Sequence, residues 1–213
     1  MLIKLDMVNA LDQVNHTFLI KFLHSFGFSN QFVNLIKACI DNPWIAPLVN
    51  GCPTGFFHAQ RGLRQGYLLS HFLYIMLAES LRRKLITKRD PRSLPGLKIS
   101  HGINPLNHAL FVDDSILLGG ASLRISMVFD SILKCYYRVT GALVSERKSE
   151  IYGWNMEQQE LMSISQILGF KAYAKWDKIK YLGFPITNGI NKRDLWSDII
   201  RKIKKNISSW GGY

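Results

Sequence analysis

His108-Ala-Leu-Phe-Val-Asp-Asp-Ser-Ile-Leu-Leu118 is the stretch on which the reading of this chain turns. An apolar run from His108 to Val112 is broken by Asp113 and Asp114 and resumes at Ile116. That pattern predicts a β-hairpin with two carboxylates at its tip. Adjacent like charges repel, so such a pair is tolerable if it is exposed or if a cation neutralises it. A surface Asp-Asp turn meets the first condition and a metal site meets the second. The two residues alone leave both open.

A third acid, Asp6, stands near the end of another apolar strand, Leu2–Met7, 107 residues before Asp113. If the two strands are neighbours, three carboxylates converge on one edge of a sheet. Carboxylates prefer hard cations such as Mg²⁺ or Mn²⁺, and two such ions can hold the attacking and departing oxygens of a phosphoryl transfer. Asp12 reads as a helix-start or loop residue instead. Arg61-Gly-Leu-Arg-Gln-Gly66 follows a predicted strand and precedes a predicted helix. Its glycines allow a backbone to approach a ligand closely, and its guanidinium groups suit phosphate. No Gly-Lys-Ser/Thr follows, so it is not a P-loop. His58, His71, His101 and His108 show no metal-ligand spacing. Tyr67, Tyr136, Tyr137 and Trp176 are read as packing residues before base-stacking ones.

Working outward, helices are predicted over His16–Ser25, closed by Gly27, and after Ser29, with Phe32, Leu35, Ile36, Cys39 and Ile40 as the buried stripe. Trp44–Asn50 and Gly55–Gln60 read as strands joined by Gly51-Cys-Pro-Thr54. A long helix runs from Ser70 to Leu85, with Phe72, Ile75, Met76 and Leu81 inward. Another spans Ala121–Thr140, with Ile125, Val128, Phe129, Ile132, Leu133 and Tyr136 on one face and Gly141 as its stop. Short strands follow at Ala142–Ser145 and Ser149–Trp154, then a helix at Gln158–Leu168 and a strand at Ile179–Phe184. The last helix is Asp194–Ser208, with Ile199, Ile200, Ile203 and Ile207 inside. Hairpins and helices in irregular alternation argue for an α+β fold, an antiparallel sheet covered by helices.

Composition narrows the function classes. The 213 residues are 47% hydrophobic and 12% aromatic, enough for a sizeable core. No apolar run approaches the roughly 18 residues of a membrane helix, and the first residues do not read as a signal peptide. Cys39, Cys52 and Cys135 form no CxxC pair, which excludes a disulfide framework and a cysteine zinc site and points to a reducing compartment. The formal net charge of +12 calls for a polyanion. Seven cations face one acid in residues 81–100, and ten face five beyond residue 150. The expectation is that these two clusters bracket the acids and hold a phosphate backbone on either side.

Taken together and in order, these elements resemble the reverse transcriptases of non-LTR (LINE-type) retrotransposons, especially those of plants. Lys4-Leu-Asp6-Met-Val-Asn-Ala-Leu-Asp12-Gln-Val14 is similar to motif A of that family. Leu48-Val-Asn-Gly51, Gly55-Phe-Phe57 and Arg61-Gly-Leu-Arg-Gln-Gly66 resemble its template-side hairpin and motif B, and Phe111-Val-Asp-Asp114 resembles motif C. Thr140-Gly-Ala-Leu-Val144 with Lys148-Ser149 looks like the next motif, and Lys180-Tyr-Leu-Gly-Phe-Pro185 looks like the primer grip. Ile203 to Trp210 resembles the opening of a thumb.

The resemblance implies a polymerase palm over residues 1–185 and the start of a thumb-like segment over 186–213. The implied activity is RNA-directed DNA synthesis by two-metal nucleotidyl transfer. Asp6, Asp113 and Asp114 would bind the two Mg²⁺ or Mn²⁺ ions. Leu11, Arg61, Arg64, Gln65, Gly66 and Lys148 would face nucleotide or template, and Tyr181, Leu182 and Gly183 would hold the primer end. The implied partners are an RNA template, a DNA primer and deoxynucleoside triphosphates, with no membrane. The family's life cycle implies the nucleus or cytoplasm. Two departures stand out: Leu11 replaces the usual aromatic under the deoxyribose, and Tyr67-Leu-Leu-Ser70-His71 replaces the usual Asp-Pro-Leu-Ser-Pro. Motif A begins at residue 4, so the fingers that precede it in the family are expected to be missing. The expectation is then a truncated copy, inactive alone. The alternatives are a non-catalytic basic nucleic-acid-binding remnant or a pseudogene product.

Overall fold

The computed structural model describes residues 1–41, 43–90, 93–98, 100–188 and 196–210. In chain order, β1 (Leu2–Val8) leads to α1 (His16–Phe26) and α2 (Asn30–Ile40), then to four two-residue strands. These are β2 (Trp44–Ile45), β3 (Leu48–Val49), β4 (Cys52–Pro53) and β5 (Phe57–His58). Next come α3 (Leu68–Thr87), β6 (His108–Phe111), β7 (Asp114–Leu118) and α4 (Leu123–Thr140). They are followed by β8 (Leu143–Val144), β9 (Glu150–Tyr152), α5 (Gln158–Leu168) and β10 (Lys171–Tyr173). The hairpin β11 (Lys178–Tyr181) and β12 (Phe184–Thr187) and the helix α6 (Ser197–Trp210) complete the described residues.

The main sheet has the order β10-β9-β1-β7-β6, with β8 also paired to the end of β1. Its pairs are antiparallel except for β10 with β9. β1 is central, and its alternation sets the layers. Ile3, Leu5 and Met7 point into a core with Leu81, Leu85, Phe129, Ile132 and Ile164 of the helices. Leu2 faces the other way, with Ile116, Leu118, Trp176 and Ile179, under the β11–β12 hairpin. α3 bridges two cores: its first half packs on α1 and α2 through Leu73, Tyr74 and Leu77, and its second half covers the sheet. The result is a mixed α/β fold with a largely antiparallel sheet.

Local chemistry explains the helix ends. Asn15, Ser29 and Ser122 accept from the amides of Phe18, Phe32 and Ile125, and Gly27, Gly141 and Gly169 close α1, α4 and α5 in the left-handed conformation. Several expected faces are corrected. On α2 the buried residues are Val33, Ile36 and Ile40, while Phe32 and Leu35 lie outside. Phe32 instead joins a ladder of ring contacts with Phe28, Phe26, Phe22 and Phe18, stacked except for the tilted Phe22–Phe26 pair. On α3, Phe72 and Ile75 are 60% and 57% exposed. The first half of that helix is apolar on most sides, so periodicity could not choose its face.

Residues 44–58 form one nested hairpin turning at Asn50-Gly51 instead of two long strands. The single strand expected at 179–184 is a hairpin turning at Leu182-Gly183. β10 has no counterpart among the expected strands, because Lys171-Ala-Tyr173 carries no apolar run. In α6, Ile200, Ile203 and Ile207 are exposed instead of inside. The expected start of that helix at Asp194 lies outside the described residues.

Candidate active site

β1 and β7 run antiparallel with Asp6 opposite Asp114. The Asp6 amide donates to Ser149 Oγ at 3.1 Å, and its carbonyl accepts from the Ser145 amide at 2.9 Å. Both bonds point away from β7. Asp6 and Asp114 are therefore a narrow, non-hydrogen-bonded pair, with Cα atoms about 4.5 Å apart and side chains on one face. The buried hydroxyl of Ser149 thus fixes the backbone that carries Asp6, a contribution that no sequence signal disclosed.

Asp113 sits in the two-residue turn with Val112. The Met7 amide donates to the Asp113 carbonyl at 3.2 Å, fastening the turn to β1. Val112 has φ +49° where this turn normally takes glycine. A side chain in the left-handed region costs about 1–2 kcal/mol, so strain is held at the tip that carries the acids. The Asp113 charge is felt by Tyr74 of α3, whose hydroxyl is pushed up to about 12, first by burial and then by that carboxylate. Tyr181 lies on the other side. Burial and then the Asp114 charge raise its hydroxyl, which donates to the Ala109 carbonyl at 3.2 Å. Tyr181 thereby ties the β11–β12 hairpin, with Leu182 and Gly183 at its turn, to the strand beside the acids.

The donor set suits a hard divalent cation: two carboxylates abreast on a strand edge and a third in the adjoining turn. Among the described residues, no three acidic, imidazole or thiol groups are gathered into a ready metal cluster. Lys148 Nζ stands 3.6 Å from Asp6 Oδ1. That ion pair is weak, because the lysine side chain is 71% exposed.

The Arg61–Gly66 turn is docked on the segment after β1. The Gly62 and Leu63 amides donate to the Val14 and Leu11 carbonyls at 2.9 and 2.8 Å. His16 Nε2 lies 2.6 Å from the Gly62 carbonyl, so that nitrogen carries the proton. Gln65 Nε2 donates to Asp12, 3.1 and 3.2 Å from its two oxygens. The sequence places Asp12 at a helix start or in a loop. It does lie in a turn, and its carboxylate grips Gln65, a partner 53 positions away that one sequence cannot reveal. Arg61, Arg64, Gln65, Asp12 and the half-exposed Trp44 flank a cavity of about 550 Å³ whose lining does not include the three acids. Leu11 is partly buried at the edge of the α1–α2 core. Gly66 ends the turn at φ +80°. Tyr67 then occupies the N-cap of α3 without a side-chain hydrogen bond.

The cationic clusters need a correction. Tyr74 adjoins the hairpin tip, whereas Leu85 accepts from Asn107 Nδ2 at 2.9 Å, at the hairpin's base. Eleven residues of helix separate them, about 16 Å. The cations after Arg82 therefore lie at the far end of α3 and do not bracket the acids. Of the later cluster, Lys178, Lys180, Arg201 and Lys202 line a cleft of about 150 Å³ beside Gly183.

The chain is thus a mixed α/β domain with paired acids at a strained hairpin tip and a Gly-Arg turn docked on the segment after β1. A family model described as reverse transcriptase (RNA-dependent DNA polymerase) matches residues 1–186, and the chain belongs to that family. The expected kinship with reverse transcriptases of non-LTR retrotransposons holds. A retrovirus-related Pol polyprotein from a type-2 retrotransposable element of Drosophila melanogaster is 23% identical over 190 residues, 86% of this chain and 17% of that protein. The transposon TX1 uncharacterized 149 kDa protein of Xenopus laevis is 31% identical over 116 residues, 54% of this chain and 8% of that protein. An uncharacterized mitochondrial protein of Arabidopsis thaliana is 38% identical over 68 residues, 32% of this chain and 56% of that protein. The chain thus spans 56% or less of the length of each of these relatives.

Proposed function

We propose that this chain is the palm of an RNA-templated DNA polymerase, with residues 1–185 as the palm and 186–213 opening a thumb. The observation that carries the reading is the cross-strand pairing of Asp6 with Asp114 at a tip that also holds Asp113. Two divalent ions, Mg²⁺ or Mn²⁺, held by these three acids would activate a primer 3′-hydroxyl and offset the charge of departing pyrophosphate. Lys148, already beside Asp6, would pair with nucleotide phosphate as the carboxylate turns to its cation. Arg61 and Arg64 would meet phosphate or template at the cavity mouth, with Gln65 and Gly66 beside the templating base. Tyr181, Leu182 and Gly183 would hold the primer end next to the acids. Leu11 would contact the sugar without the ring that rejects a 2′-hydroxyl, so ribonucleotides would be excluded poorly.

The test is primer extension on an RNA template with Mg²⁺ or Mn²⁺. Extension that Asp113→Asn abolishes supports the reading, and either no extension or extension surviving that change overturns it. The absence of a ready three-acid cluster among the described residues favours a second reading, a basic module that binds nucleic acid without catalysis. Salt-sensitive primer–template binding without extension would establish it.

A further inference from the structure

The cations at the far end of α3 are not used by the site at the hairpin tip, and they do not stand alone. Arg82 and Arg83 are engaged by Glu79, and Arg83 also lies over the Phe26 ring at 4.2 Å. Lys84 and Lys88 instead form one wall of a groove of about 880 Å³. Its other wall is α4, which contributes Arg124, Lys134 and Arg138. Among the described residues Asp130 is the one carboxylate in this lining, and it is paired with Lys134 at 2.8 Å. Five cations to one acid among the described lining residues give this concave surface a net positive charge.

The spacing tells more than the sum. Arg124 and Arg138 are fourteen residues apart on one stripe of α4, with Ser131 midway. The stripe is therefore about 21 Å long, far more than a single small anion spans. Lys84 and Lys88 are one helical turn apart on the facing wall. Met127 and Val128 supply an apolar floor on which a base or ribose edge can rest. Two walls of spaced cations over an apolar floor match a polynucleotide strand, in which charge repeats along an aromatic chain.

We propose that the groove between α3 and α4 is a second nucleic-acid site that holds a single strand of RNA away from the acids at the hairpin tip. The charge pattern carries the nucleic-acid assignment. The choice of RNA rests on the family's RNA template, and so on the reading proposed above. The sheet lies between groove and acids: Phe129 and Ile132 of α4 pack on its Ile3, Leu5 and Met7 face, whereas Asp6 shares the opposite face with Leu2. One RNA molecule would have to pass around the helical layer to occupy both sites, which would keep a template attached between rounds of copying.

The experiment is fluorescence anisotropy of the full chain with a labelled 20-nucleotide unstructured RNA at 50–250 mM NaCl. The triple change Arg124→Gln, Lys134→Gln, Arg138→Gln should weaken binding at least about tenfold at 100 mM salt. It should also reduce the salt slope by about 2, the value for three single-strand phosphate contacts. The equal-charge control Lys21→Gln, Lys37→Gln, Lys175→Gln should leave the slope in place. On the wild-type chain, RNA should protect Lys84, Lys88 and Lys134 from acetylation read by mass spectrometry, which holds even if the triple variant misfolds. Equal losses in the groove and control triples, or no protection of those lysines, overturn the proposal. Single-stranded DNA that binds more tightly with the same protection overturns the choice of RNA. Loss of primer extension with groove protection intact would sink the polymerase reading and spare the groove.

Discussion

Replacing Gly62 by alanine should break the docking of the Arg61–Gly66 turn, and Gly66→Ala provides an internal control. Both glycines have left-handed backbones, φ +90° and +80°, so each alanine carries the same conformational penalty of about 1–2 kcal/mol. They differ in what the new methyl meets. At Gly66 nothing lies within 4 Å, whereas at Gly62 the added carbon would stand 2.6 Å from the Asp12 carbonyl oxygen. Ordinary contact begins at 3.4 Å, so the turn must withdraw by about 0.8 Å, and a backbone carbonyl cannot swing aside as a side-chain end can. That withdrawal opens the Gly62–Val14 and Leu63–Leu11 hydrogen bonds. Each is worth about 0.5–1.5 kcal/mol net. Gly62→Ala should therefore cost about 2–5 kcal/mol and Gly66→Ala about 1–2 kcal/mol. Urea unfolding followed by circular dichroism measures the difference, and amide exchange at Leu63 should speed up in Gly62→Ala alone. A gap below about 0.5 kcal/mol, or an unchanged Leu63 amide, would refute the view that this close approach holds the turn.

Tyr67 has extended backbone at the N-cap of α3 but makes no capping bond, so Tyr67→Asp should stabilise the chain by about 1 kcal/mol. The melting temperature should rise by about 2–4 °C, and a fall would show that the ring packs in a way its exposure conceals. A double-mutant cycle of Asp12→Ala with Gln65→Ala should give a coupling of about 0.5–1.5 kcal/mol, with Asp12→Asn largely retaining it, since an amide oxygen still accepts. Additive single changes would mean that the bond is incidental. Burial, then Arg82 and Arg89, lower the pKa of His108, outweighing the opposing charge of Glu79. Below about pH 6.5 the unfolded chain therefore binds the proton that the folded chain refuses, and stability falls as pH drops through that window. His108→Gln should flatten the fall, read as melting temperature at pH 7.5 against 5.0. An unchanged slope would assign it to other groups.

What could be read in the sequence was what repeats locally. The α4 stripe ending at Gly141 needed only the 3.6-residue period and a left-handed stop, and the structure ends that helix there. The Asp-Asp hairpin needed only two apolar runs and a polar break. What stayed hidden depends on partners distant in the chain. The first half of α3 also carries Leu68, Phe72 and Ile75 outside its buried stripe, so its period could not distinguish Leu73 from Phe72. Asp12 and Gln65 are unremarkable residues until folding places them 3.1 Å apart. The cations at the end of α3 pointed to a polyanion, but only the course of the helix shows that they are remote from the acids.

The pairing of Asp6 with Asp114 is a consequence of the core more than of the acids themselves. Carboxylates directly opposite each other on one face repel, so the pair contributes nothing to choosing its own register. Ile3, Leu5 and Met7 choose it, because a one-residue slip of β1 would turn all three to the open face and drive Asp6 into the helical core. Leu117, fully buried between them and Phe129, makes the same choice for β7. The strain at Val112 is held by the same framework: the Met7–Asp113 bond fastens the turn to β1, which Ser149 and Ser145 fix through the backbone of Asp6. Charge repulsion and a left-handed valine are thus held in place by burial of apolar side chains one residue away. It follows that truncating Leu5 would disturb the acids as surely as changing one of them, although it touches neither.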